Sequence, residues 1–186
     1  NSSGAEIHLD QVANGIASTN AFTNAGLIRM GENGPLTGSG IANIQGAAAV
    51  FNNNAGGDIS IKQTAVDGLQ NNLNSTFYNI ACATLTLFDN LNNSGTFTNS
   101  GLFTVNTTQT HTNTALTNNG TIVNNAAGRT LTVNAIATTN NASLSASTGT
   151  LTIANTWTNP GTISATNATL NFTGNWSTTG SVTINS

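Results

Sequence analysis

The stretch Thr150-Leu151-Thr152-Ile153-Ala154-Asn155-Thr156-Trp157-Thr158-Asn159-Pro160-Gly161-Thr162-Ile163 is written again, at an offset of nineteen. The second copy is Thr169-Leu170-Asn171-Phe172-Thr173-Gly174-Asn175-Trp176-Ser177-Thr178-Thr179-Gly180-Ser181-Val182. Leu151/Leu170, Ile153/Phe172, Trp157/Trp176, Gly161/Gly180 and Ile163/Val182 all keep the offset. An apolar residue that returns at a fixed offset returns to the same core, so each copy reads as one turn of a solenoid. Within a copy, Leu-Thr-Ile alternates apolar with polar, the period of a strand with one buried face. The Asn-x-Gly corner supplies residues that tolerate positive φ and so a sharp turn between short strands.

The unit extends toward the N-terminus. Leu131-Thr132-Val133 precedes Leu151-Thr152-Ile153 at nearly the same offset. Leu116-Thr117-Asn118-Asn119-Gly120-Thr121-Ile122 and Phe97-Thr98-Asn99-Ser100-Gly101-Leu102-Phe103-Thr104-Val105 repeat the motif. Before Asp89 the repeat is longer. The aromatic anchors Phe22, Phe51 and Phe77 lie 29 and 26 apart, and Ile28, Ile59 and Leu85 lie 31 and 26 apart. The pattern predicts a lead-in or cap over 1–14, longer turns over 15–88 and tighter turns over 89–186. Asn106 to Ala115 fits no repeat and is expected to be a bulging loop.

These spacings predict an all-β chain, a single-stranded parallel β-helix with turns of about 18–30 residues. The predicted core is Phe22, Phe51, Phe77, Phe97, Leu116, Leu151, Ile153, Trp157, Ile163, Leu170, Phe172, Trp176 and Val182. The predicted corner turns are Gly26, Gly56, Gly95, Gly101, Gly120, Gly161 and Gly180. Corner asparagines are expected to stack turn on turn, with amides bonding along the axis. Seven or eight turns at ~4.8 Å give a rod of roughly 35–40 Å. A sandwich would show frequent, closely spaced hairpin turns without matched columns. A propeller blade needs about 40 residues.

Composition agrees. The 33 Thr and 32 Asn make up about a third of the 186 residues, beside 19 Gly and 2 Pro, a strand-and-turn composition. Disordered tracts are equally polar, but have no reason to return Leu, Ile, Val, Phe and Trp at fixed offsets. The net charge of −3 and the scattered Arg29, Lys62 and Arg129 exclude a nucleic-acid footprint. No charged-then-apolar leader and no apolar run long enough to span a bilayer is present, so neither a signal peptide nor a transmembrane segment is expected. Cys82, the single cysteine, sits in Ile80-Ala81-Cys82-Ala83 and is expected to be a buried, inert thiol.

The motif apolar-Thr-Asn-x-Gly-Thr-apolar, as in residues 97–105, 116–122 and 157–163, resembles the repeats of bacterial β-helical surface proteins. These include filamentous-haemagglutinin-like adhesins and autotransporter passenger domains. The resemblance covers most of residues 15–186. It implies a right-handed parallel β-helix, export to the cell surface or beyond, and a role in adhesion, surface coating or filament formation. The implied partners are further copies of the chain, or a host or environmental glycan or surface.

Some parallel β-helices cleave polysaccharides, which requires clustered carboxylates. The carboxylates here are Glu6, Asp10, Glu32, Asp58, Asp67 and Asp89. Asp58 and Asp67 flank Lys62 in the densest cluster, and His8 stands two positions from Asp10. Both patterns fit solvated charge better than catalysis, and His111 has no carboxylate near it in sequence. No phosphate loop, nucleophile elbow, metal-ligand spacing or cofactor motif occurs, so no enzyme activity is expected. Nine Asn-x-Ser/Thr sequons, from Asn1 to Asn175, match the number that chance gives at this composition. Thr-x-Thr at 84/86, 96/98, 110/112, 130/132 and 150/152 could order water on a flat face, as in ice binding. Their uneven spacing predicts that they do not share one column. Trp157 and Trp176 could stack on sugars. Their shared motif slot with Phe97 and Leu116 predicts an internal aromatic stack instead.

Overall fold

The computed structural model describes residues 1–43, 49–106, 109–125 and 130–185, with backbone alone at 43, 109–114 and 134–136. Every regular element among them is a β-strand, twenty-two in all, and every pairing is parallel. The strands form three stacks around a β-solenoid of about eight turns. The first stack holds β2 (Ile16–Ser18), β5 (Ile41–Asn43), β8 (Leu69–Asn71), β17 (Gly149–Ile153) and β20 (Ala168–Phe172). The second holds β3 (Ala21–Asn24), β6 (Val50–Asn53), β9 (Thr76–Asn79), β18 (Thr156–Asn159) and β21 (Asn175–Thr178). In the middle turns one long strand serves both stacks: β11 (Leu91–Asn99), β13 (Gln109–Asn118) and β15 (Thr130–Asn140).

The third stack is the most regular. It runs β1 (Glu6–Leu9), β4 (Leu27–Met30), β7 (Asp58–Ile61), β10 (Thr84–Leu87), β12 (Leu102–Val105), β14 (Thr121–Asn124), β16 (Ser143–Ala146), β19 (Thr162–Thr166), β22 (Ser181–Asn185). Its inward positions stack Ile28, Ile59, Leu85, Phe103, Ile122, Leu144 and Ile163, each at 2% exposure or less. Residues 1–14 supply β1, paired to β4, and thus the first rank of this face.

The second stack carries the aromatic column. Phe22, Phe51, Phe77, Phe97, Leu116, Thr138, Trp157 and Trp176 are register partners in succession. The first four rings stack with centroids 4.7, 5.0 and 5.3 Å apart, about one strand spacing. Trp157 and Trp176 stack at 5.2 Å and 10°. Turn length follows from where these partners fall: the offset shortens from 29 between Phe22 and Phe51 to 19 between Trp157 and Trp176. On the first stack, Leu131, Leu151 and Leu170 line up, as do Val133, Ile153 and Phe172.

Two expectations are corrected here. Asn106 to Ala115 is not a bulging loop through its length: β13 begins at Gln109 and pairs along β11 and β15. Its register sets Gln109 against Leu131 and His111 against Val133, so polar residues occupy positions that are apolar one turn later. That is why no hydrophobic repeat is visible there. Trp176 and Val182 face inward but are 49% and 39% exposed, because they lie on the outermost rank, which no described strand covers. Leu170 and Phe172, on the same rank, are partly buried, as is Phe22 near the other end.

Candidate functional site

The most continuous polar feature is internal. Asn24, Asn53, Asn79, Asn99, Asn118, Asn140 and Asn159 occupy one corner position in successive turns, each at 2% exposure or less. From Asn24 to Asn140, every Nδ2 donates to the Oδ1 of the next turn, at 2.8, 2.9, 2.8, 2.9, 2.7 and 2.6 Å. Asn1 donates into the first member and Asn159 donates to Thr178 Oγ1 at 3.0 Å. The second amide hydrogen goes to a strand carbonyl, as from Asn118 to Ser143 at 2.8 Å. Asn118 Oδ1 accepts from Asn99 and from the Gly120 amide, so all four of its hydrogen-bonding positions are used. A shorter ladder joins Asn71 to Asn93 at 2.6 Å.

The corner glycines stand beside this ladder. Only Gly56 among those predicted has positive φ, at 80°. The others are glycine because the turn below is too close. A Cβ on Gly161 would lie 2.2 Å from the Ala142 carbonyl oxygen, and one on Gly120 2.3 Å from that of Gly101. The same oxygen-to-Cβ conflict meets Gly26, Gly95, Gly101 and Gly180. Positive φ falls instead on Asn74, Cys82, Asn155 and Asn167 at other corners.

The charged residues do not converge. Asp58 pairs with Arg29 at 2.6 Å across one turn, and Lys62 pairs with Glu32, also across one turn. Asp67, the other neighbour of Lys62 in sequence, takes a hydrogen bond from Asn92 at 3.3 Å. Burial pushes its carboxyl above the ordinary value, opposed by the Asn92 bond and reinforced by the nearby Asp89 charge. Asp89 is bonded by Thr64 Oγ1 at 2.6 Å. His8 pairs with Glu6 at 2.6 Å rather than with Asp10, which binds the side chain and amide of Asn33. Those two bonds hold the Asp10 carboxyl below its ordinary value. No group of three or more metal-ligating side chains occurs among the described residues. Arg129 and the side chain of His111 lie outside them. The Arg29–Asp58 and Glu32–Lys62 separations of 29 and 30 lie close to the local register offsets of 29 and 31, the one signal in the sequence that could have found them.

The threonine pairs divide among the stacks. Thr84/Thr86 lies on the third, Thr96/Thr98 on the second, and the 110/112, 130/132 and 150/152 pairs on the first. The five do not share one column, but the last turns do stack: Thr130, Thr150 and Thr169 are register partners, as are Thr132, Thr152 and Asn171. The second stack adds an outward column of Thr98, Thr117, Thr139 and Thr158. Trp157 is 2% exposed and lies inside the rod, where no sugar reaches it. Cys82 is exposed, contrary to expectation, because its φ of 64° puts it at the tip of a corner outside the core. Shallow clefts flank the Leu73 corner, lined by Gln70, Asn72, Leu73 and Ser94 on one side. No described helix is long and apolar enough to cross a membrane. No family model, curated protein or solved structure matches the chain.

Proposed function

We propose that the chain is a structural and adhesive rod module of an extracellular bacterial surface protein, acting by presentation and reach rather than by catalysis. The observation that carries this reading is the asparagine ladder, an unbroken line of seven buried side chains along the long axis. Buried amides bonded from turn to turn resist slippage between turns, which suits a rod that holds its length under load. The outward faces carry Thr, Ser and Asn in place of most charges, which suits contact with surfaces and neighbours rather than steering of small charged ligands.

End-to-end stacking belongs to the same reading. The outermost rank shows the same inward side chains that other ranks bury, with Trp176, Val182 and Ile184 at 49%, 39% and 66% exposure. Such a rank fits another solenoid rank, from the same chain or from another copy. Light scattering over a hundredfold concentration range, with electron micrographs of the same samples, tests it. Mass and rod length that rise together in steps support stacking. A constant single-solenoid length overturns it.

A second reading, ordering of water by a threonine face, is favoured by the register of Thr130, Thr150 and Thr169 beside Thr132 and Thr152. Thermal hysteresis of the purified chain decides it. Freezing without hysteresis removes it.

A further inference from the structure

We propose that the rod interior binds a single water molecule between Thr138 and Trp157. The two residues are register partners on adjacent turns of the second stack, Thr138 in β15 and Trp157 in β18. Thr138 is 4% exposed and Trp157 2%. Neither the Thr138 hydroxyl nor the Trp157 Nε1–H has a hydrogen-bond partner among the described residues.

One unpaired buried group is costly, and two facing positions in one column are unusual for a packed interior. The groups are also chemically matched. The indole N–H only donates, while the hydroxyl both donates and accepts. A water between them accepts from Trp157 and exchanges a bond with Thr138. Its remaining hydrogen is left to donate to a further acceptor, within the two to four bonds usual for buried water.

The column changes in side-chain size and chemistry at this place. Phe22, Phe51, Phe77 and Phe97 fill the earlier ranks with stacked rings at 4.7 to 5.3 Å. Leu116 and then Thr138 follow, and a threonine side chain is much smaller than the phenyl ring that fills the same slot in earlier turns. Trp157 is drawn the other way, stacked on Trp176 at 5.2 Å and tilted on Phe172 at 4.9 Å. Thr139 and Thr158 bond to each other on the outer side at 3.4 Å, so the outward hydroxyl ladder does not serve the inner pair.

The test uses the sign of a stability change. Thr138→Val keeps the shape and removes the hydroxyl. If water joins the pair, this variant strands the indole N–H and lowers the melting temperature by roughly 3–8 °C. If the hydroxyl is merely unpaired, the same substitution raises the melting temperature, and that result overturns the proposal. Trp157→Phe in the Thr138→Val background should then lose less than the two single changes together; strict additivity also counts against the site. Should the valine variant fail to fold, the unaltered chain still decides the matter. A cross-peak between water and the Trp157 indole proton, with exchange slower than bulk, supports the site, and its absence at full resonance assignment refutes it.

Discussion

At the corners of this rod, single residues are fixed by two different physical limits, and substitutions separate them. Gly161 is limited by space, since a Cβ would stand 2.2 Å from a backbone oxygen of the turn below. Gly56 is limited by conformation, with φ of 80° and nothing nearer to a Cβ than 3.9 Å. Gly161→Ala must therefore move two turns apart and should cost about 2–4 kcal/mol, whereas Gly56→Ala should cost about 1–2 kcal/mol, both measured by denaturant unfolding. Equal costs would mean that the close approach is relieved without strain. Asp67 is a third case. Its carboxyl is raised by burial, so the folded chain holds that proton more tightly than the unfolded chain. The carboxylate then costs stability at pH above its folded pKa and costs none once pH falls below the ordinary value of 3.8. Asp67→Asn should raise the melting temperature by a few degrees at most at pH 7, with the gain fading in thermal scans taken toward pH 3. A gain that persists at pH 3 would assign the effect to something other than ionisation.

At the scale of strands and columns, the ladder sets the coupling between turns. Asn118→Ala leaves the Asn99 amide without its acceptor and Asn140 without its donor, both in the interior. The expected cost is about 2–5 kcal/mol. Asn159→Ala should cost less, because its onward bond goes to Thr178, near the edge. A ladder that acts as a unit would show the central change as the larger in chemical denaturation, and the reverse order would argue against it. Much of this level was legible in the sequence. The offset of 19 between Trp157 and Trp176 placed the aromatic column, and the alternation of Leu-Thr-Ile placed the strands. What was hidden has one cause. A repeat distance tells which residues share a column, but not which of three faces that column lines. The five Thr-x-Thr pairs therefore scattered over three stacks, and β13 passed for a loop because Gln109 and His111 sit where apolar residues are expected. Gly56 was found for the right reason, its positive φ, but the other six corner glycines were not, since the closeness of the neighbouring turn leaves no trace in local sequence. Cys82 looked buried among small apolar neighbours, yet those neighbours form a corner and not a strand interior.

For the whole molecule, charge and apolar exposure are distributed unequally along the axis. Among the described residues, the ion pairs of Arg29 with Asp58 and Glu32 with Lys62, and the Glu6–His8 contact, all belong to the early turns. The final described rank instead exposes Trp176, Val182 and Ile184 along its strand edges. A strand edge without charge is the kind that pairs with another strand, and a charge placed on it is the usual protection. If the rod extends by stacking, a charge on the inward side of the last rank must block it, since burying an unpaired ammonium is far more costly than the stacking gains. Ile184→Lys should therefore reduce the scattering mass to that of one chain. It should leave the melting temperature nearly unchanged, because that side chain is already 66% exposed in the single rod. Ser164→Lys, on the outward side of β19, serves as the control and should leave assembly as it was. Assembly that survives Ile184→Lys would move the contact from the end of the rod to its hydroxyl-rich sides, where the column of Thr98, Thr117, Thr139 and Thr158 would be the next surface to alter.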